Sequence, residues 1–128
     1  PALGKALTGA WYEIMSVMSG DDDAAVAART QMATASGTDL AGYDAQLAST
    51  RMFYKAADAV AFVRSKDLPK TMESVAGFSF DQGLLGEGAP DAGFIGIGFP
   101  GGVSIGDTGN LKLRFDDTYM AMAAEGKL

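Results

Sequence analysis

Residues 3–19 read LGKALTGAWYEIMSVMS, and this stretch is the clearest secondary-structure signal in the chain. Its apolar stripe consists of Leu3, Leu7, Trp11, Ile14 and Met18. Spacings of three and four residues place these side chains on one side of an α-helix. Pro1 suits the first position of such a helix, and Gly20 suits the left-handed turn that ends it. The stretch therefore predicts an amphipathic helix with one apolar side.

Two more helices are predicted before residue 50. Asp21–Asp23 supply an N-cap and negative charge at the start of an alanine-rich helix, and Gly37 ends that helix. Thr38 then caps a third helix, which continues to Ser49. The aspartate run also raises the possibility of a cation site. It has neither the alternating ligands nor the closing glutamate of a calcium loop, so helix capping is the favoured interpretation.

Two further helices follow an interruption of the helical period. Arg51–Tyr54 is predicted to be extended, and a short helix follows at residues 56–64. Ser65 or Asp67 caps the next helix, in which Pro69 is tolerated because it lies in the first turn. The predicted inward face of this helix consists of Leu68, Met72, Val75, Ala76 and Phe80.

The pattern changes in the last third of the chain. The glycine-rich run from residue 93 to 110 predicts a β-hairpin with Gly101–Gly102 at its turn. Residues 111–115, LKLRF, alternate apolar and charged side chains as a half-buried strand does. Asp116 or Asp117 caps a last helix. The sequence thus predicts a predominantly α fold of five or six helices with a short late hairpin and strand region, in one domain over residues 1–128.

Composition narrows the functional classes. The chain has no cysteine and no histidine, which excludes thiol nucleophiles, histidine acid–base catalysis and zinc sites of the usual kind. It has 10 basic and 16 acidic residues and a net charge of −6, whereas a nucleic-acid partner requires a basic face. The sequence therefore predicts no catalytic residue, no metal site, no cofactor and no nucleic-acid partner.

The stretch Gly96–Gly101, GIGFPG, satisfies the G-x-G-x-x-G pattern of dinucleotide-binding loops. In those loops a strand precedes the glycines, and a helix whose N-terminus meets the pyrophosphate follows them. Here the next residues are GVSIGDTGN, which contain three more glycines and no helical period. A hairpin is therefore favoured over a nucleotide site.

Asp107-Thr108-Gly109 spells the D-T-G of aspartic proteases. Those enzymes need two carboxylates that share one proton, held in an all-β framework. This chain is predicted to be mostly helical, and Asn110 follows the triplet where a serine or threonine is expected. A type I turn accounts for these residues, so the motif does not indicate an enzyme.

Three segments carry a family resemblance: PALGKALTGAWYEIM (1–15), FVRSKDLPKTMESVAGFSFDQGLL (62–85) and LKLRFDDTYMAMAAEGKL (111–128). The matching motifs are P-x-L-x-K-A-L at residues 1–7, G-L-L at residues 83–85 and F-D-D-T-Y at residues 115–119. In this order they resemble the C-terminal part of ABC-transporter substrate-binding proteins. The resemblance is to the nitrate, sulfonate and taurine type, related to thiamine-pyrimidine synthesis proteins. Members assigned to urea or amide transport are the most similar.

The resemblance implies part of a type II periplasmic-binding-protein architecture. Such proteins hold a small polar solute between two α/β lobes, close around it and deliver it to an ABC permease without chemistry. They are roughly two to three times as long as this chain. The chain is therefore expected to be a C-terminal fragment of a periplasmic or other extracytoplasmic protein, not binding-competent alone. If any of its residues face the interlobe cleft, the candidates for ligand contact are Trp11, Tyr12 and Tyr54.

A missing partner sheet leaves an apolar helix face uncovered, and such a face promotes self-association. The 128-residue chain is therefore expected to be oligomeric. The alternative function, from a different class, is a free-standing helical module that uses the same face to bind a partner protein. The residues do not identify the solute.

Overall fold

A computed structural model describes residues 2–128, and in this range six α-helices accompany three short strands late in the chain. The helices are α1 (Ala2–Met18), α2 (Asp23–Ala35), α3 (Leu40–Ser49), α4 (Ala56–Val63), α5 (Asp67–Asp81) and α6 (Thr118–Ala124). The strands are β1 (Gly96–Gly98), β2 (Ser104–Ile105) and β3 (Leu111–Arg114). The predicted fold class, mostly helical with a small late sheet, is confirmed. Pro1 lies outside the described residues.

The chain divides into two compact units. The first consists of the residues up to Ala59 together with Tyr119–Leu128, and the second is Val60–Thr118. The boundaries fall inside α4 and at the start of α6.

In the first unit α1 packs against α2, and α2 packs against α3. The buried side chains between them are Met15 and Met18 of α1 and Ala25 and Ala33 of α2. Because alanine has the smallest apolar side chain, the two alanines let the helices approach closely. The alanine-rich segment thus forms the centre of the three-helix layer.

Polar caps define the boundaries of these helices. Asp22 Oδ1 accepts a hydrogen bond from the backbone N–H of Ala25 at 2.8 Å, so the aspartate run caps α2 as predicted. The predicted cap of α3 is wrong by one residue, because Asp39 and not Thr38 accepts from the N–H of Gly42. Thr38 instead belongs to the end of α2, where its N–H donates to the carbonyl oxygen of Ala33.

The second unit contains the sheet, with strand order β2-β1-β3. β1 and β2 are antiparallel, with Ile97 opposite Ile105, which confirms the predicted hairpin. β3 lies parallel to β1 on the other side. The buried core of the unit is Leu68 of α5 with Ile97 and Phe99, and the Phe99 and Phe115 rings stack at 5.3 Å.

The predicted inward face of α5 is only partly correct. Leu68 is buried and Met72 packs against the core, but Val75 is 45% exposed. The three-stranded sheet is short; α5 contacts β2, and its Leu68 is buried in one cluster with Ile97 of β1 and Phe99. The apolar face of α5 extends farther along the helix than the sheet does, so part of this face, including Val75, remains in solvent.

Two glycines of α1 provide a matched test of the packing in the first unit. A Cβ on Gly4 would lie 2.5 Å from Cε2 of Tyr119, whereas a Cβ on Gly9 would meet only Cβ of Leu128, at 3.8 Å. Alanine is favoured over glycine inside a helix by about 1 kcal/mol. We therefore expect Gly9→Ala to raise the free energy of unfolding by about 0.5–1 kcal/mol. Gly4→Ala should lower it by about 1–2 kcal/mol, because the Tyr119 ring must move.

Urea denaturation of the two single variants measures both effects. Equal stabilisation by the two substitutions would contradict the close contact between α1 and Tyr119.

Candidate functional site

The most prominent surface feature is a row of large apolar side chains along α1. We call this row the α1 face. It consists of Leu3 (81% exposed), Leu7 (69%), Trp11 (54%), Ile14 (44%) and Val17 (44%). These exposed fractions together correspond to about three whole side chains, or on the order of 500 Å² of apolar surface. Patches of this size on a soluble protein often mark an interaction site.

The α1 face exists because the apolar side of α1 is wider than the part of it that the first unit covers. Met15 and Met18 point into the first unit and are 3% exposed each, and the α1 face occupies the neighbouring part of the helix surface. Lys5 and Glu13 are the only charged residues of the helix. A helix that borders solvent on one whole side carries its charges there, whereas α1 carries apolar side chains. The α1 face is therefore suited to contact with another apolar surface.

A second feature of the first unit is a cleft of about 520 Å³. We call it the Arg29 cleft. It lies where the end of α1 meets α2, α3 and the extended residues 50–54, and its volume is in the range of small-molecule sites. Its polar lining includes both charge signs, with the side chains of Asp21, Arg29, Asp44 and Tyr54. This combination suits a small polar solute better than an apolar one.

Arg29 is the best-positioned charged group in the Arg29 cleft. Its Nη1 donates to the carbonyl oxygens of Met18 at 3.1 Å and Gly20 at 2.8 Å. Its Nε lies 3.0 Å from Oδ1 of Asp44, an ion-pair distance, although the N–H is not aimed at that oxygen. The Arg29 side chain is 12% exposed. Arg29 therefore supplies hydrogen-bond donors to the carbonyl oxygens at the C-terminal end of α1. Its Nε–H makes no hydrogen bond within residues 2–128.

A third feature is a groove of about 870 Å³ between α1 and the C-terminal residues of the first unit. Tyr12 lines it together with Lys5, Glu13, Lys127 and Leu128. Burial raises the pKa of the Tyr12 phenol, because the partly buried site disfavours the phenolate. The rest of the α1 side of this groove consists of small residues, which offer a ligand few specific contacts.

The three aromatic residues predicted to contact a ligand do not share a site. Tyr54 lines the Arg29 cleft, Tyr12 lines the groove beside the C-terminal residues, and Trp11 belongs to the α1 face. The adjacent residues Trp11 and Tyr12 do not both point inward, since Trp11 is more than half exposed.

Arg29 and Asp44 were not among the predicted site residues. A signal for Arg29 was available, because it is the only basic residue in the alanine-rich α2. Asp44 has no comparable signal, since its partner is 15 positions away in the sequence.

The GIGFPG stretch forms part of the sheet. Gly96–Gly98 is β1, and the chain then passes through a 3₁₀ turn at Pro100–Gly102 into β2. Gly101 and Gly102 have φ values of +78° and +79°, which glycine adopts without strain. A helix N-terminus, the element that binds pyrophosphate in dinucleotide sites, does not follow the glycines. These glycines therefore serve the hairpin geometry.

Two of the three aspartates between residues 107 and 117 accept hydrogen bonds from nearby backbone N–H groups. Asp107 Oδ1 accepts from the N–H of Gly109 at 2.8 Å and so begins a 3₁₀ turn. Asp116 Oδ1 accepts from the N–H of Thr118 at the start of α6. Hydrogen bonds from the side chain and the backbone of Thr118 lower the pKa of Asp116. Asp117 forms an ion pair with Arg64.

Comparison with known proteins yields no matching family model, no similar curated protein and no similar solved structure. Within residues 2–128, no three acidic side chains come together in a way that could hold a metal ion. No helix in that range has the length and hydropathy needed to cross a membrane.

Proposed function

We propose that this chain is the C-terminal segment of a solute-binding protein of an ABC importer, and that it takes part in binding a small polar solute without chemistry. The family resemblance of the three segments supplies the class of protein. The observation that carries solute binding is the Arg29 cleft, which is lined by Tyr54 and by the largely buried Arg29, whose Nε–H makes no hydrogen bond within residues 2–128. The partners in this proposal are the solute and a membrane permease, and the place of action is the periplasm or another extracytoplasmic compartment.

Tyr54 is the residue through which this proposal is tested. Its hydroxyl makes no hydrogen bond to another residue in the range 2–128, and it lines the same cleft as Arg29 and Asp44. A phenol and a guanidinium N–H both donate to acceptor oxygens, so the solute class that fits best carries a carbonyl, carboxylate or sulfonate oxygen. Small amides and sulfonates belong to this class.

The first experiment determines the gene sequence that precedes the codon for Pro1. An open reading frame that encodes an α/β lobe upstream supports the binding protein. A start codon directly before Pro1 contradicts it and leaves the interaction module as the function.

The second experiment measures solute binding to the whole gene product by calorimetry, with small amides, taurine and nitrate as probes. We expect Tyr54→Phe to weaken binding of the best probe about 5- to 10-fold, as loss of one hydrogen bond does. Tyr43→Phe is the matched control, since Tyr43 donates to the sulfur of Met32 and does not line the Arg29 cleft. Equal affinities for the Tyr54→Phe variant and the unmodified protein would contradict the proposal that the solute binds in the Arg29 cleft.

The second candidate function is a protein-interaction module, and the α1 face favours it. An apolar row with exposed fractions from 44% to 81% is suited to a protein partner. This function needs neither the Arg29 cleft nor a solute, so the calorimetric experiment does not affect it.

A further inference from the structure

We infer that, in the 128-residue chain, the α1 face is covered by the α1 face of a second copy, with the two helices antiparallel. This inference names the partner for the interaction function proposed above, and it is independent of solute binding. It rests on the spacing, the size and the charges of the α1 face.

The spacing of the α1 face matches a helix–helix seam. Four residues of the α1 face, Leu3, Leu7, Ile14 and Val17, fall together with the exposed Ala10 at intervals of four, three, four and three residues. This is the heptad spacing that places side chains along one seam between two packed helices. Ala10 is exposed like its neighbours, and Trp11 lies beside the seam. A helix is therefore a partner that this surface fits without rearrangement.

An antiparallel pair of identical α1 helices brings unlike seam residues together. With the two-fold axis between Thr8 and Gly9, Leu3 lies opposite Ile14 of the second copy, and Leu7 lies opposite Ala10. At the centre, Leu7 opposite Ala10 sets a large side chain against a small one, and this allows close packing there. A two-fold interface repeats every contact twice, so one face is enough to build it.

The size of the α1 face is consistent with a dimer. Its apolar surface is on the order of 500 Å² before Ala6, Ala10 and the polar rim are added. A standard stable interface buries about 800 Å² on each partner. α1 has 17 residues and is about 25 Å long, which provides a seam of more than two heptads.

The charges around α1 select the antiparallel orientation. The α1 face carries no charged residue, so two copies do not repel each other across it. Asp21–Asp23 follow directly after α1. In a parallel pair the two aspartate runs would lie side by side, and like charges in contact oppose that arrangement. In the antiparallel pair the two runs lie at opposite ends of the helix pair, so this repulsion is absent.

Sedimentation equilibrium of the full 128-residue chain tests the dimer. We expect Leu7→Glu to weaken association about 100-fold or more, because a charge enters the centre of the seam. Leu84→Glu is the matched control. Leu7 is 69% exposed and Leu84, in the second unit, is 70% exposed, so both variants place the same charge at equally exposed positions. Circular dichroism verifies that both variants fold.

Disulfide trapping tests the orientation, and the absence of natural cysteine makes it unambiguous. A mixture of Leu3→Cys and Ile14→Cys chains should form the mixed disulfide under mild oxidation. Leu3→Cys alone should form little, since its two sulfurs would be about 16 Å apart along the helix axis. Trp11, the only tryptophan, should shift its emission to shorter wavelength as the dimer forms.

A chain that stays monomeric up to about 1 mM would overturn the inference while leaving the solute proposal intact. So would a dimer that Leu7→Glu does not weaken more than Leu84→Glu does. A dominant disulfide between two Leu3→Cys chains would overturn the antiparallel orientation.

Discussion

Gly96→Ala is expected to unfold the sheet of the second unit. A Cβ at position 96 would overlap the carbonyl oxygen of Asp107 and lie 2.9 Å from the carbonyl carbon. These are backbone atoms of the 3₁₀ turn before β3, so no side-chain rotation relieves the overlap. We expect the free energy of unfolding to fall by about 3 kcal/mol or more.

Gly98→Ala is the matched control for this change, two residues along the same strand. A Cβ at position 98 would meet only the side chains of Leu111 and Arg114, at 3.6 Å or more. We expect its effect to stay below about 1 kcal/mol. Amide exchange of Phe99 and Phe115 measures the outcome, since their N–H groups donate to Val103 and Gly98. Equal protection in the two variants would show that β1 does not need the glycine at position 96.

Arg29→Met is expected to destabilise the first unit by about 2–4 kcal/mol. The methionine keeps much of the apolar stem but removes the donors to the carbonyl oxygens of Met18 and Gly20. Those carbonyls end α1 next to a buried contact with α2, and a polar group that loses its partner there is costly. The free energy of unfolding, from urea denaturation followed by circular dichroism, measures this effect.

Asp44→Asn separates the ion pair from the carbonyl contacts of Arg29. Asp44 is 44% exposed, so water solvates its carboxylate and screens the ion pair. We expect this variant to lose less than about 1 kcal/mol. If it loses as much as Arg29→Met, the ion pair and not the helix-end contact is what stabilises the first unit.

The helices could be predicted from the sequence because local rules define them. The periodicity of residues 3–19 predicted α1, and aspartate with glycine bounded α2. The Thr38 cap was wrong by one residue, because the carboxylate of the next residue, Asp39, accepts from the N–H of Gly42. The prediction that Val75 of α5 faces inward was also wrong, because the sequence of α5 does not reveal how long the sheet is on which the helix packs.

The candidate site was less predictable than the fold. Tyr54 was predicted as a ligand contact, but the charged groups that line the cleft with it were missed. Arg29 comes from α2 and Asp44 from α3, and their meeting depends on how the two helices pack. Neither periodicity nor a motif encodes that distance.

The sequence by itself determined which segments are helices and strands, and that GIGFPG belongs to a hairpin, because spacing and backbone preferences act over a few residues. It also determined that one side of α1 is apolar. Only the tertiary structure decided which apolar residues of α1 are covered. Met15 and Met18 are buried inside the first unit, while Leu3, Leu7, Trp11 and Ile14 stay exposed. The physical reason is that periodicity defines a face, whereas the neighbour that covers it is set by contacts between distant parts of the chain.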